Sequence, residues 1–333
     1  MAHNHRRWTT ALLFSLIGMF ASSLLAIMIG SHPLNVGRAL HGLPPDHEIL
    51  MQLRLPRALL ALWTGGALAL SGVLFQALLR NPLATPYTLG VSGGASLGAV
   101  LAIFFGWNAV GNISAVSFSA CVGSAAVLFL IVGISLEGGK MSSVGLLLSG
   151  VTIETMCGAV ILFLSNLVGF LKSFSVTRWL MGGIDPPACS TLFWLSVVLT
   201  PVCFLIFWFS REWNLLAIGE TWAATRGLST NRLLLIGCVA GSILTGAVTS
   251  LTGPIGFVGL IVPHALRLWI GADHRILAPC SFLVGAAFVV LCDLFSRTVL
   301  APVEIPVGII TALLGGPFFI WMLRSRRRLG VTI

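Results

Sequence analysis

Ten apolar runs punctuate the chain, at 9–29, 58–79, 87–106, 115–135, 144–168, 191–210, 232–252, 255–271, 276–296 and 305–323. Most approach the roughly 20 residues that an α-helix needs to cross a hydrocarbon core about 30 Å thick. They are continuous and rich in Leu and Ala, where barrel strands would alternate over about ten residues, so they predict spanning helices. The eighth run, 255–271, is short and marked by glycine and proline. The expected fold class is an all-α integral membrane protein of about ten transmembrane helices. The largest polar stretches, 30–57, 169–190 and 211–231, are too small to fold alone, so residues 1–333 are expected to form a single transmembrane domain.

Composition strengthens this reading. Hydrophobic residues make up 57% of the 333 and charged residues only 9%, and the mean hydropathy is +1.00. The net charge of +9 raises the question of nucleic acid, which the distribution of charge answers. With the N-terminus in the cytoplasm, the inner side takes Arg6, Arg7, Arg80, Lys140, Arg211, Arg226, Arg232, Arg267, Arg275, Arg324, Arg326, Arg327 and Arg328. The outer side takes Arg38, Arg54, Arg57, Lys172, Arg178 and Arg297, a ratio of 13 to 6 among the 19 cations. This is the positive-inside bias that orients membrane proteins, so the basic balance reports topology, with both termini cytoplasmic, and not a nucleic-acid partner. No charge interrupts the sequence between Arg7 and Arg38, and the first run outlasts a signal-peptide core, so it reads as an uncleaved helix.

Several kinds of chemistry find no support. The seven cysteines form no C-x-x-C pair and fall mostly inside apolar runs, as small packing residues do. His264 and His274 lack acidic or Cys partners at ligand spacing, so no metal site is expected. Gly138-Gly139-Lys140 lacks the first glycine of a phosphate loop and has Met141 where Ser or Thr would hold magnesium. No cofactor is expected on this chain, and no paired acids or nucleophile–base arrangement suggests a catalytic residue.

What remains is concentrated at helix ends. Gly90, Gly94 and Gly98 are spaced to share one face of the third helix, which lets another backbone approach closely. Arg54 and Arg57 lie just outside the second helix and Arg297 just outside the ninth. Cations on an outer rim can steer and hold an acidic partner. The alternatives are that Arg297 pairs with Asp293 one turn earlier and that Arg54 and Arg57 snorkel to headgroups. In the 211–231 loop, residues 216–228 read as a short amphipathic helix bounded by Gly219 and Gly227, with Glu220 and Ala223 between them, an element able to plug into a partner's groove. Asn81, Pro82 and Leu83, with Ser142 and Ser143 before the fifth helix, are small or turn-forming residues where helix ends can part around a pathway. Glu154, ten residues into that helix, is the most deeply placed acid. It is either functional or neutralised by protonation or by hydrogen bonds to Thr152, Thr155 or a neighbouring helix. Glu304 and Pro306 suit the start of the last helix and read as architectural.

Four motifs in order carry a family resemblance: Arg54-Leu55-Pro56-Arg57; Q-A-L-x-x-N-P-L-A-x-P-x-x-L-G-V-S-x-G-A from Gln76; G-x-I-G-F-x-G-L-x-x-P-H-x-x-R from Gly253; and E-x-P-x-G-x-x-T-A-x-x-G-x-P-x-F from Glu304. Over nearly its whole length the chain resembles the FecCD-type permeases, membrane subunits of binding-protein-dependent ABC importers for iron-siderophores, haem and cobalamin. The resemblance implies a type II importer fold in the bacterial cytoplasmic (inner) membrane and a homodimer. It also implies an external substrate-binding protein and two cytoplasmic ATPase subunits, which carry the ATP and magnesium. It assigns Arg54, Arg57 and Arg297 to docking of the binding protein, and Gly219, Glu220, Ala223 and Gly227 to ATPase coupling. Arg226 departs from the family's usual apolar residue there. Asn81, Leu83, Ser142, Ser143 and Glu154 are assigned to the pathway and inner gate at the dimer axis. The expected function is ATP-driven uptake of a metal chelate, an iron-siderophore first and haem or cobalamin next. The reading from another class is an ion-coupled secondary transporter, for which Glu154 is the one obvious acid.

Overall fold

The computed structural model describes residues 2–30, 33–107, 109–110, 113–137 and 140–328. Gly138 and Gly139, weighed above against a phosphate loop, lie outside the described residues. Each of the ten apolar runs contains a helix: α1 (Ala2–Met28), α2 (Leu55–Leu78), α3 (Val91–Phe105), α4 (Ala115–Ser135), α5 (Ser143–Leu167), α6 (Cys189–Trp208), α7 (Thr230–Thr252), α8 (Val258–Ile270), α9 (His274–Thr298) and α10 (Val307–Arg328). Among the described residues seven are long and apolar enough to cross a membrane, whereas α3, α8 and the apolar part of α10, Val307–Met322, are shorter. Two-residue antiparallel ladders close the α3–α4 and α4–α5 connections.

Helix α2 is the axis of the bundle. Every residue from Thr64 to Leu79 is buried, as an apolar sequence on all faces requires. It packs against α9, α7 and α8, while α3 packs on α4 and α5 and α1 lies along α9. Lipid supplies no hydrophobic drive between helices, so close packing must hold them, and small residues permit it. A Cβ placed on Gly65 would lie 2.1 Å from Gly285 O of α9, and one on Gly72 only 2.0 Å from Gly259 O of α8. Large apolar side chains such as Phe14, Phe20, Phe129, Phe204 and Trp208 point outward, as a lipid-facing surface does.

Two spans are interrupted. The expected helix 87–106 is a 3₁₀ turn (Pro86–Leu89) followed by α3, with Gly90 between them in the left-handed region at φ +72°. The expected helix 255–271 begins only at Val258, after a non-helical Gly253–Gly256 stretch and Phe257 at φ +67°. At 13 residues, α8 covers only about 20 Å. Irregular backbone at membrane depth is tolerated where protein satisfies it. Here Tyr87 Oη donates to Ile255 O at 2.5 Å, Gln76 Nε2 to Gly259 O at 3.2 Å and Gly308 N to Gly182 O at 3.0 Å.

Two loops hold more helix than expected. The 169–190 stretch contains Phe170–Leu180, and the 211–231 stretch is split at Gly219 into Ser210–Ile218 and Glu220–Thr225. The glycine contacts yield a direct test. Gly72→Val drives a side chain into the α8 backbone and is expected to cost about 1–3 kcal/mol or more. Gly18→Ala, with open space around it, should stay within about 0.5 kcal/mol of the parent. Thermal unfolding in detergent separates the two.

Candidate functional site

The three arginines expected on an outer rim make hydrogen bonds and ion pairs within the protein. A π-helical turn, Ile49–Arg54, leads into α2 and turns Arg54 back onto α1. Its Nη1 donates to Ile27 O and Met28 O, both at 2.8 Å, in space left by the missing side chain of Gly30. Those carbonyls, with Ala26 O taken by Arg297 Nη2, belong to the last turn of α1, where no intrahelical donor remains. Arg57 donates through Nε to Asp293 Oδ1 at 3.0 Å, and through Nη1 and Nη2 to the two oxygens of Glu304, each at 3.0 Å. Arg297 lies 3.7 Å from Asp293, so of its two readings the pairing within α9 is realised. Arg54 and Arg57 do not snorkel. The Asp293 side chain is 2% exposed and that of Arg57 11%, whereas Glu304 is 48% exposed. Glu304 stands ahead of α10, and its partner is Arg57 across the bundle, not the first turn of its own helix.

Arg178 is one of the six cations assigned to the outer side and has no local signature that sets it apart. It is exposed on helix Phe170–Leu180 and makes no ion pair among the described residues. With Arg57, Asp185 and Glu304 it lines a cavity of about 820 Å³ between that helix and the segment leading into α10.

At the opposite end, the residues assigned to coupling and to the gate meet. Glu220 Oε1 accepts from Arg80 Nη2 at 3.0 Å and from Ser143 Oγ at 2.5 Å. The single Ser143 hydroxyl proton is shared with Leu78 O, at 2.8 Å. Arg80 reaches this position from a left-handed backbone, φ 48°, that ends α2. Asn81 Oδ1 accepts from Leu83 N at 2.9 Å and folds the following turn, and Ser142 Oγ caps α5 by accepting from Gly145 N at 2.9 Å. Ala223 is fully buried beneath helix Glu220–Thr225, while Ile218, Trp222 and Arg226 face outward. One short loop is thereby bonded to the ends of both α2 and α5.

The same loop carries a residue that sequence reasoning missed. Asn214 Nδ2 donates to Asp273 Oδ1 at 2.9 Å, and its Oδ1 accepts from the His274 backbone N–H at 2.8 Å. That oxygen also faces His274 Nδ1 at 2.7 Å, so this ring nitrogen carries a proton and donates. Hydrogen bonding from Arg275 holds the Asp273 carboxyl at about 2, below its ordinary value, with Asn214 adding to the effect. The start of α9 is thus fastened to helix Ser210–Ile218. An Asp just before a helix signals an N-cap, but nothing in the local sequence names Asn214 as its partner.

Glu154 has a structural partner. Its Oε2 accepts from Gly93 N at 2.9 Å, which places the carboxylate at the N-terminal turn of α3, where free N–H groups and the helix dipole favour an anion. Thr152 and Thr155 bond to their own helix. Gly90 faces Gly150 O on α5, while Gly94 and Gly98 face Gly123 and Ser119 on α4, so the three do not share one face as the spacing suggested. Glu154→Gln keeps an acceptor for Gly93 and is expected to leave stability within about 0.5 kcal/mol, while Glu154→Leu should lose about 1–2 kcal/mol. Thermal unfolding in detergent measures both, and equal losses would show that the charge itself is required.

Comparison with known proteins agrees with this architecture. The model of the FecCD transport family matches residues 17–325. The chain is 38% identical to the hemin transport system permease protein of Yersinia pestis, with 84% of each chain covered. It is 35% identical to the vitamin B12 import system permease protein of Vibrio vulnificus, with 97% of this chain and 96% of that one covered. A solved structure described as an inward-facing conformation of a metal-chelate type ABC transporter superposes with a TM-score of 0.83 at 30% identity, covering 95% of this chain and 99% of that one. Seven apolar helices of spanning length, together with these permease relatives, make this a multi-pass protein of the bacterial inner membrane. With the family's model matching all but the ends of the sequence, the chain belongs to the FecCD transport family as an ABC transporter permease.

Proposed function

We propose that the chain is the membrane half of an ATP-driven importer for a large metal chelate, working as a homodimer with two cytoplasmic ATPase subunits and an external binding protein. Both termini and the Glu220 loop face the cytoplasm, and the arginine cluster faces outward. The observation that carries this reading is the Glu220 junction, where one carboxylate on a short surface helix bonds to Arg80 at the end of α2 and to Ser143 at the start of α5. A push on that helix by an ATPase subunit reaches two membrane helices through direct polar contacts, as a two-state conduit requires. ATP and magnesium reside on the partner subunits. The exposed face of α5, with Val144, Leu148, Thr152 and Met156, supports its assignment to the pathway at the dimer axis.

The cargo class is supported by the relatives, whose names specify hemin and vitamin B12, both metal chelates, and by a metal-chelate type transporter. An iron-siderophore belongs to the same chemical class and is the first cargo to test, with haem and cobalamin beside it. Ion-coupled transport is less well supported, because Glu154 is occupied as the cap of α3.

Reconstitution tests the proposal. The chain in proteoliposomes with its ATPase and binding protein should take up one of a ferric siderophore, haem or cobalamin, and only with ATP. Glu220→Gln should lower the amount imported per ATP hydrolysed on the order of tenfold, the loss expected for a charge-assisted hydrogen bond. Uptake driven by an ion gradient without the ATPase would refute the reading.

A further inference from the structure

Arg57 has two carboxylate partners of unequal standing. Asp293 is almost wholly enclosed, and removing it would leave the guanidinium only an acid at the protein's edge. Glu304 is half exposed and grips the outward edge of the same guanidinium through two parallel bonds of 3.0 Å. The backbone around Glu304 is held independently, by Ile305 N to Ser296 O at 3.2 Å and by Ser296 Oγ to Ile305 O. The Glu304 side chain is therefore free to swing away while its segment stays in place. Arg57 is held by both Asp293 and Glu304, so it loses one of its two acidic partners when Glu304 departs.

The cavity of about 820 Å³ opens onto this edge of Arg57, with Arg178 on its wall. Phe174, Trp179, Val303 and Ile305 supply apolar surface around the two cations. A single carboxylate carried on a protein loop matches such a lining, whereas a polyanion would meet Asp185 on the same wall. The fork of Arg57 suits one carboxylate at a time.

We propose that Glu304 is an internal stand-in for a carboxylate of the external binding protein, which on docking displaces it from Arg57, with Arg178 making the first contact at the cavity wall. This rests on the reading of the chain as a binding-protein-dependent permease. Docking thereby becomes an exchange of one ion pair for another at Arg57, with the segment leading into α10 still held on α9 by Ser296.

The test uses the full permease with its ATPase in nanodiscs, and the binding protein that supports uptake in the reconstitution above. Affinity is measured at low and at physiological salt. Glu304→Gln should tighten binding on the order of fivefold, the worth of a half-exposed ion pair, and Arg178→Gln should weaken it by a similar factor. Arg57→Lys keeps the charge beside Asp293 but not the fork, and in that background the gain from Glu304→Gln should disappear. Unchanged or weaker binding by Glu304→Gln, or an equal gain in the Arg57→Lys background, would overturn the exchange. Tightening of free chelate alone would overturn it in favour of a cargo site. If Arg178→Gln and Arg57→Lys both leave affinity unchanged while uptake still requires the binding protein, the exchange fails and docking lies elsewhere. Uptake without any binding protein would defeat the functional reading itself.

Discussion

The ion pair between Arg57 and Asp293 is the constraint on which the arginine end of the bundle depends. Both side chains are nearly enclosed, and each would be costly to leave there without the other. Holding them 3.0 Å apart fixes where α2 and α9 cross, and the two helices pack so closely along Gly65 and Gly285 that the crossing has little freedom to slip. Arg297 joins the pair from within α9 and also binds the end of α1, which Arg54 holds from the start of α2. The last carbonyls of α1 and the guanidinium groups of Arg54 and Arg297 satisfy each other. Glu304 then draws in the segment before α10, so four helices meet through one set of contacts.

Helix α9 also connects this cluster to the opposite face. Its 25 residues span about 37 Å, from the junction of Asp273, His274 and Asn214 to Asp293 and Arg297. The loop that carries Asn214 also carries Glu220, which holds α2 and α5. Polar contacts thus gather at the two ends, while the membrane interior is held by glycine contacts and by half-helices whose free backbone groups are satisfied within the protein. Such an arrangement is suited to tilting of whole helices about their ends, because rearrangement at mid-depth would strand polar backbone in lipid.

Helix positions were legible in the sequence because the bilayer imposes a length on every apolar run. The two interruptions were visible only as signs. The Gly253-Pro254 pair marked the eighth run as irregular, but Gly90 has the same spacing from Gly94 as Gly94 has from Gly98, and only its left-handed backbone removes it from the helix. The arginines show the limit most clearly. Their charge and approximate depth could be read, but the acids that neutralise Arg57 stand 236 and 247 residues away in the chain. Local patterning therefore suggested an exposed rim where a buried cluster exists. Glu154 and Gly93 are 61 residues apart, and again the partner, not the residue, was hidden. Glu220 and Ser143 could be picked out because each sits at a helix end, where turn chemistry leaves a local signature, whereas Arg80, the third member of their junction, showed only as one of the inner cations. Helix Phe170–Leu180 was missed because its polar and charged residues, Lys172 and Arg178 among them, break the apolar run that would have announced it.

The buried pair is tested most directly by a double-mutant cycle on Arg57→Met and Asp293→Leu, followed by thermal unfolding in detergent. Each single substitution takes the nearest partner from a nearly enclosed charge, leaving Arg57 with the half-exposed Glu304 or Asp293 with Arg297 at 3.7 Å. Each is predicted to cost about 1.5–3 kcal/mol, with the double variant recovering part of that loss. Single costs within about 0.5 kcal/mol of zero, or losses that simply add in the double variant, would contradict the pair as the constraint that organises this end of the bundle.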